Sequence, residues 1–197
     1  MAVPPVPLGE LRGPNGWAQT RRIGTAAKGG GVMTAKRIDI AAIAAIVGTV
    51  YPPPFDQPCR TRRRQKLGDA AGLTQFGVNL LVLPPGAWSS QRHWHTEQDE
   101  FVYVLEGEVV LVTDAGDELL RAGDAAGFKA GDRNGHCLQN RSRAEARVLE
   151  VGTRVRGDTA DYPGLDLLAP AGGKPAQYTH RDGTPYTDLR RRGPEDD

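Results

Sequence analysis

Between residues 74 and 155 the chain reads as a succession of short β-type runs cut by turn signals, with no helical pattern between them. Phe76 to Leu83 gives way to Pro84-Pro85-Gly86, and Phe101 to Leu105 gives way to a turn around Gly107. Val109 to Thr113 precedes Asp114-Ala115-Gly116-Asp117, Leu119-Leu120 precedes Ala122-Gly123-Asp124, and Arg147 to Val151 precedes Gly152. Strands at this spacing, without crossover helices, close into an antiparallel sandwich or barrel. Phe101-Val102-Tyr103-Val104-Leu105 is apolar on both faces. It therefore asks for cover on both sides, by a barrel interior within and by a second layer or a second subunit without.

Composition agrees. The 25 glycines and 15 prolines in 197 residues suit a turn-rich β domain, and the length suits one domain once irregular ends are set aside. A formal net charge of +1 gives no global attraction to nucleic acid or to an acidic membrane, so neither is expected as a partner. Cys59 and Cys137 lie far apart and form no paired spacing, which indicates neither a disulfide framework nor a zinc knuckle and fits a reducing compartment. The most apolar stretch, Ile40 to Val50, is roughly half the length of a membrane span. Prolines interrupt the first ten residues where a secretory signal needs an unbroken apolar run, so a soluble cytoplasmic protein is expected.

Residues 1 to 32 read as a disordered, basic, Gly/Pro-rich tail, and Met33, where the composition changes, is a plausible natural start. Residues 33 to 73 read as an N-terminal helix and an extended arm. Ile40, Ile43, Ile46 and Val47 recur at helical spacing near Asp39, and Tyr51-Pro52-Pro53-Pro54-Phe55 then extends the chain. Arg60, Arg62, Arg63, Arg64 and Lys66 form a basic run without interleaved aromatics, expected as a solvated or dimer-contacting face. The barrel is assigned to 74 to 156. Residues 157 to 197 form an irregular extension wrapping it, with Arg190 to Asp197 expected to be disordered.

The chemistry concentrates in His93-Trp94-His95-Thr96-Glu97-Gln98-Asp99-Glu100. On a strand, residues i and i+2 share a face about 6.6 Å apart, so His93 and His95 can aim at one point while Trp94 turns away. If Thr96 to Asp99 turn the chain, Glu100 is delivered to the same end. Two imidazoles and a carboxylate with open positions form a non-haem metal arrangement, and a further histidine would complete a four-ligand site. His136 and Asn140 are four apart and share a strand face, which leaves Cys137 on the other face and out of the ligand set. Trp88 and Trp94 flank the histidines as candidate pocket walls, with core packing as the alternative for each. Glu97 and Asp99 read as loop acids, Tyr103 as packing, and His180 as a surface or packing residue.

Gly86, His93, His95, Glu100 and Gly107 in this register resemble the first motif of the cupins, and Gly123, Gly131, His136 and Asn140 resemble the second. The resemblance covers residues 74 to 152. It implies a small single-domain cupin: an all-β, double-stranded β-helix, or jelly-roll barrel, with the short N-terminal helix and irregular C-terminal extension added to it. It also implies one divalent transition metal (Fe, Mn, Ni, Zn, Co or Cu) on His93, His95, Glu100 and His136. Departures are a loop one residue longer before His93, Lys129 where proline is usual, and an enlarged turn between Gly131 and His136 that puts Asn134 at the usual histidine position.

The function expected is action on a small molecule, the metal serving as Lewis acid or oxygen-activating centre in isomerase-like or dioxygenase chemistry. Trp88 and Asn140 are candidate substrate contacts, and a homodimer is expected because small barrels expose strand edges. The alternative is a non-catalytic ligand-binding or sensor protein whose output lies on another chain. No Ser-His-Asp order, phosphate loop or dinucleotide fingerprint is present.

Overall fold

The computed structural model describes residues 37–172 and 177–196. The expected tail, residues 1 to 32, lies outside the described residues. Among the described residues twelve strands are formed: β1 Ile46–Val47, β2 Arg63–Lys66, β3 Phe76–Leu83, β4 Trp94–His95, β5 Glu100–Glu106, β6 Glu108–Thr113, β7 Gly116–Arg121, β8 Ala125–Phe128, β9 Cys137–Gln139, β10 Ala146–Thr153, β11 Ala160–Asp161 and β12 Leu168–Ala169. They make a six-stranded sheet in the order β1-β2-β3-β10-β5-β8, opposed by β7-β6-β9 and β12-β11-β4. The two short sheets are joined where His93 and His136 exchange backbone hydrogen bonds, His93 N to His136 O at 3.1 Å and His136 N to His93 O at 2.8 Å.

Alternation decides which side chains fill the barrel. Leu81 pairs with Val148, and Val148 with Val104, so one inward row of the large sheet is apolar throughout. Val109, Leu111 and Leu138 meet it from the facing sheet. On β5 the outward set, Phe101, Tyr103 and Leu105, stays 38–47% exposed, so in this chain the outer layer expected from the two-faced apolar run is lacking among the described residues. Gly107 makes the tight β5–β6 turn at φ +76, where a Cβ would stand 2.8 Å from the Glu145 carbonyl oxygen.

A second cluster, Tyr51, Cys59, Ala160, Tyr162, Leu167 and Tyr178, joins the N-terminal arm to the C-terminal extension. Tyr51 meets Tyr162 edge-on at 5.7 Å and Tyr178 at 5.2 Å. The C-terminal extension is more ordered than its composition suggested. Arg192, only 2% exposed, exchanges backbone hydrogen bonds with Thr49, so the expected disorder from Arg190 onward does not hold through Asp196.

Two further expectations change. Over Ile38 to Val47 the periodicity yields only a 3-10 turn, Ile40–Ala42, capped by Asp39, before the chain extends into β1. A segment this short gains its helix only by burying a face, and Ile40 remains 43% exposed while Gln65 takes the Ile40 and Ile43 carbonyls. The short α-helix of the region is α1, Leu67–Ala70. The basic run is not a solvated face: Arg62 is buried, donating to Gly48 O and Thr49 Oγ1 at 3.2 Å each and to the Ser89 carbonyl, and Arg64 turns into the barrel. Alternation along β2 forces this, since Arg64 pairs with Leu81 on the inward row.

Candidate metal centre

The pairing of His93 with His136 puts two imidazoles on one face of the joined sheet, ring centroids 4.9 Å apart. His95, two residues along, adds a third ring 5.0 Å from that of His93. Glu100 starts β5 across the barrel, and its Oε2 lies 3.0 Å from His136 Nε2, 3.6 Å from His95 Nε2 and 3.8 Å from His93 Nε2. Donor atoms bound about 2.1 Å from one ion are separated by roughly 3.0 to 3.4 Å, so this is the spacing of a coordination shell. His93, Glu100 and His136 form the tightest set, with one donor atom each and all within 4.8 Å of one another. His95 lies at its edge, reaching the Glu100 oxygen but standing outside that mutual set.

Outer partners fix which nitrogen His93 and His95 present. His93 Nδ1 is 2.9 Å from the Gln91 carbonyl, which can only accept, so the proton sits on Nδ1 and Nε2 is the free donor. His95 Nδ1 is 2.6 Å from Asp158 Oδ2 with the same consequence. Asp158 is itself held by the Glu97 and Gln98 amides, which donate to its Oδ1 at 2.9 and 3.1 Å. β11 pairs with β4, Ala160 opposite His95, and so carries Asp158 to this position. His93 stacks on Tyr162 and His136 on Phe128.

Electrostatics keep these groups ready for a cation. Burial pushes the His93 imidazolium down to about 4, so the ring is neutral near pH 7. Burial opposes ionisation of Glu100, but its hydrogen bond to His136 and the surrounding imidazoles outweigh this and hold its carboxyl at about 2. A neutral His93 ring facing the ionised Glu100 carboxylate, with two further imidazoles at coordination distance, is a donor set that fits a divalent ion.

Two cavities meet this cluster. One, of about 410 Å³, reaches His93 and Glu100 and is walled by Tyr51, Tyr178, Asn79, Arg64 and Glu150. The other, of about 260 Å³, reaches His95 and His136. Phe128 and Gln98 line both. Trp88 and Asn140 line neither, which corrects the expectation of substrate contact. Trp88 packs against the tyrosine cluster, and Asn140, 1% exposed, donates its amide to Leu83 O and Ala144 O at 2.7 Å each, locking the turn before β10. Trp94 lines the smaller cavity with His95 and His136, as a candidate pocket wall, and lies under the Arg133 guanidinium. Cys137 is buried and free, outside the metal-competent set. Asn134 accepts from the Asp114 amide at 2.8 Å, so it serves the enlarged turn. His180 packs on Tyr186 and pairs with Asp166.

Sequence reasoning missed Asp158, the Arg64–Glu150 pair and the facing glycines Gly77 and Gly152. Asp158 lies 63 residues beyond His95, the histidine it serves, and the β4–β11 pairing brings it back. Arg64 could have been found, because β2 alternates inward and outward and a charged inward residue signals a partner inside.

A double-stranded β-helix with histidines and a glutamate converging inside one end defines the class. Residues 79–152 match the cupin domain family, and the chain belongs to the cupin superfamily. It is 44% identical to a cupin-superfamily sugar phosphate isomerase from Silicibacter pomeroyi DSS-3, covering 79% of this chain and 100% of that one, with a TM-score of 0.73. A candidate sugar phosphate isomerase from Acidithiobacillus ferrooxidans is 27% identical, covering 67% of this chain and 83% of that one, with a TM-score of 0.58. The tetracenomycin polyketide synthase protein TcmJ of Streptomyces glaucescens is 28% identical over 110 residues, 56% of this chain and 71% of that protein.

Proposed function

We propose that the protein is a metal-dependent isomerase acting on a small phosphorylated sugar, with His93, His95, Glu100 and His136 holding one divalent ion. The observation that carries this reading is that one cavity joins the His93/Glu100 cluster to a wall of positive side chains. The likeness to the Silicibacter isomerase, which covers all of that chain, supports the substrate class. When bound, the ion supplies Lewis-acid polarisation of a carbonyl. Gln91 and Asp158 keep the Nδ1 protons of His93 and His95 in place, so both rings present Nε2 inward. Glu100 turns Oε2 to the histidines. Its Oε1 faces the gap over Gly152, where a Cβ would lie 3.9 Å away. In this reading Oε1 carries the proton from one carbon to its neighbour while the hydroxyl proton moves to the carbonyl oxygen, so no oxidant is consumed. A second copy seated on exposed Phe101, Tyr103 and Leu105 belongs to the same reading.

The test is to load the purified protein with manganese, zinc, nickel or iron(II) and incubate each form with a panel of aldose and ketose phosphates in D2O, followed by proton NMR. Isomer formation with deuterium at the carbon beside the carbonyl, abolished in Glu100→Gln, is the expected result. Neither isomer nor exchange with any metal would remove the isomerase reading and favour ligand binding without turnover.

A further inference from the structure

The larger cavity contains more positive charge than its structural ion pairs use. Arg62, Arg64, Lys66 and Arg154 line it against the carboxylates of Asp69, Glu100 and Glu150, and Glu100 belongs to the histidine cluster. Arg62 makes its hydrogen bonds to neutral oxygens of Gly48, Thr49 and Ser89. Arg64 is gripped side-on by Glu150, Nε to Oε2 at 2.7 Å and Nη2 to Oε1 at 2.8 Å. That fork fixes the guanidinium plane and leaves Nη1 with no hydrogen bond among the described residues. Asn79 pairs in register with Glu150 and lines the same cavity, and its side-chain amide likewise makes no hydrogen bond among the described residues.

Neither group is sealed away from the cavity: both side chains line it, and neither is among the fully buried unsatisfied atoms. A guanidinium fixed by Glu150 and an unengaged amide, both lining a partly enclosed space next to surplus positive charge, suit an oxyanion. Their distance from the chemistry is set by the sheet. Glu150 and Gly152 are i and i+2 on β10, about 6.6 Å apart on one face, and Gly152 pairs with Glu100. Gly77 pairs with Gly152 on the other side. The row beside Glu100 thus has no side chains of its own: the Glu100 side chain leans over Gly152 and the Arg154 guanidinium over Gly77, so a further cation stands between the two ends.

We propose that Arg64, braced by Glu150, and Asn79 form the oxyanion end of the substrate cavity, holding a phosphate or carboxylate while the carbonyl end of the same molecule reaches the histidine and Glu100 cluster. This rests on the reading of the cavity as a substrate site. Full-length protein, metal-free and zinc-loaded, is titrated calorimetrically with inorganic phosphate and separately with acetate, which distinguishes the two oxyanions. Arg64→Gln/Glu150→Gln removes both charges and so strands neither, and Asn79→Ala removes only the amide. Metal-free wild type is expected to bind one of the anions. The double variant should bind it at least about tenfold more weakly, the loss of a charge-assisted hydrogen bond, and still take up zinc. Asn79→Ala should weaken it severalfold and decides the matter if the double variant does not fold. Failure of metal-free wild type to bind either anion, or unchanged affinity in both variants, overturns the proposal. Arg64-dependent anion binding in a protein that isomerises nothing would sink the isomerase reading alone. Isomerisation indifferent to these variants would sink this one alone.

Discussion

Asp158→Asn separates the positioning of His95 from the stability of the fold. Asp158 Oδ1 accepts the Glu97 and Gln98 amides, and Oδ2 accepts the His95 Nδ1 proton at 2.6 Å. Asparagine keeps an oxygen for the two amides, and flipping its side chain would forfeit both, so its NH2 must face His95. Two donors then oppose each other, and His95 relieves the clash by moving its proton to Nε2, the atom that has to be bare to bind a metal. Loss of such an outer partner weakens metal binding about 10- to 100-fold, or about 1.4 to 2.7 kcal/mol. Competition titration with a fluorescent zinc chelator measures the affinity, and thermal melting of the metal-free proteins shows that the fold survives. Zinc affinity within twofold of wild type, with equal melting temperatures, would refute the reasoning.

Other consequences are equally direct. Gly152→Val should keep the metal but cut turnover by about 100-fold in the isomerisation assay, because a Cβ there already stands 3.6 Å from Glu100 Cγ and two further methyls fill the gap beside it. Asn140→Ala should cost about 3 kcal/mol in urea unfolding by stranding the Leu83 and Ala144 carbonyls, with metal content unchanged. For metal-free protein, His93 titrates near 4 when folded and near its ordinary 6.5 when unfolded. The unfolded chain therefore binds the extra proton in that interval, and stability is fully present above pH 6.5 and lost as pH falls toward 4. His93→Gln should flatten that part of a melting temperature against pH curve, and an unchanged slope would contradict the assignment.

The barrel and three of the four proposed ligands were legible because they depend on local pattern. Alternation fixes which side of a strand faces inward, and the spacing of His93, His95 and Glu100 is set by one strand and one turn. His136 was harder, since the enlarged turn after Gly131 alters the count; its backbone pairing with His93 restores the register. Asp158, Glu150 and Arg64 reach the site through pairings between strands far apart in sequence, which no local window contains. Ile38 to Val47 illustrates the converse: helical spacing is present, but among the described residues the face it would create stays largely uncovered, with Ile40 43% and Val47 37% exposed. Asn140 misled for a related reason, because motif position predicts its location and not whether its amide is spent on a turn.

The central claim is that the histidines and Glu100 hold one divalent ion, and metal analysis by mass spectrometry of freshly purified protein, isolated without an affinity-metal column, tests it. His95→Ala is purified in parallel. The account predicts about one transition metal per wild-type chain and a marked loss in the variant. Little metal in wild type, with no uptake on adding manganese, iron(II), nickel or zinc, would contradict it.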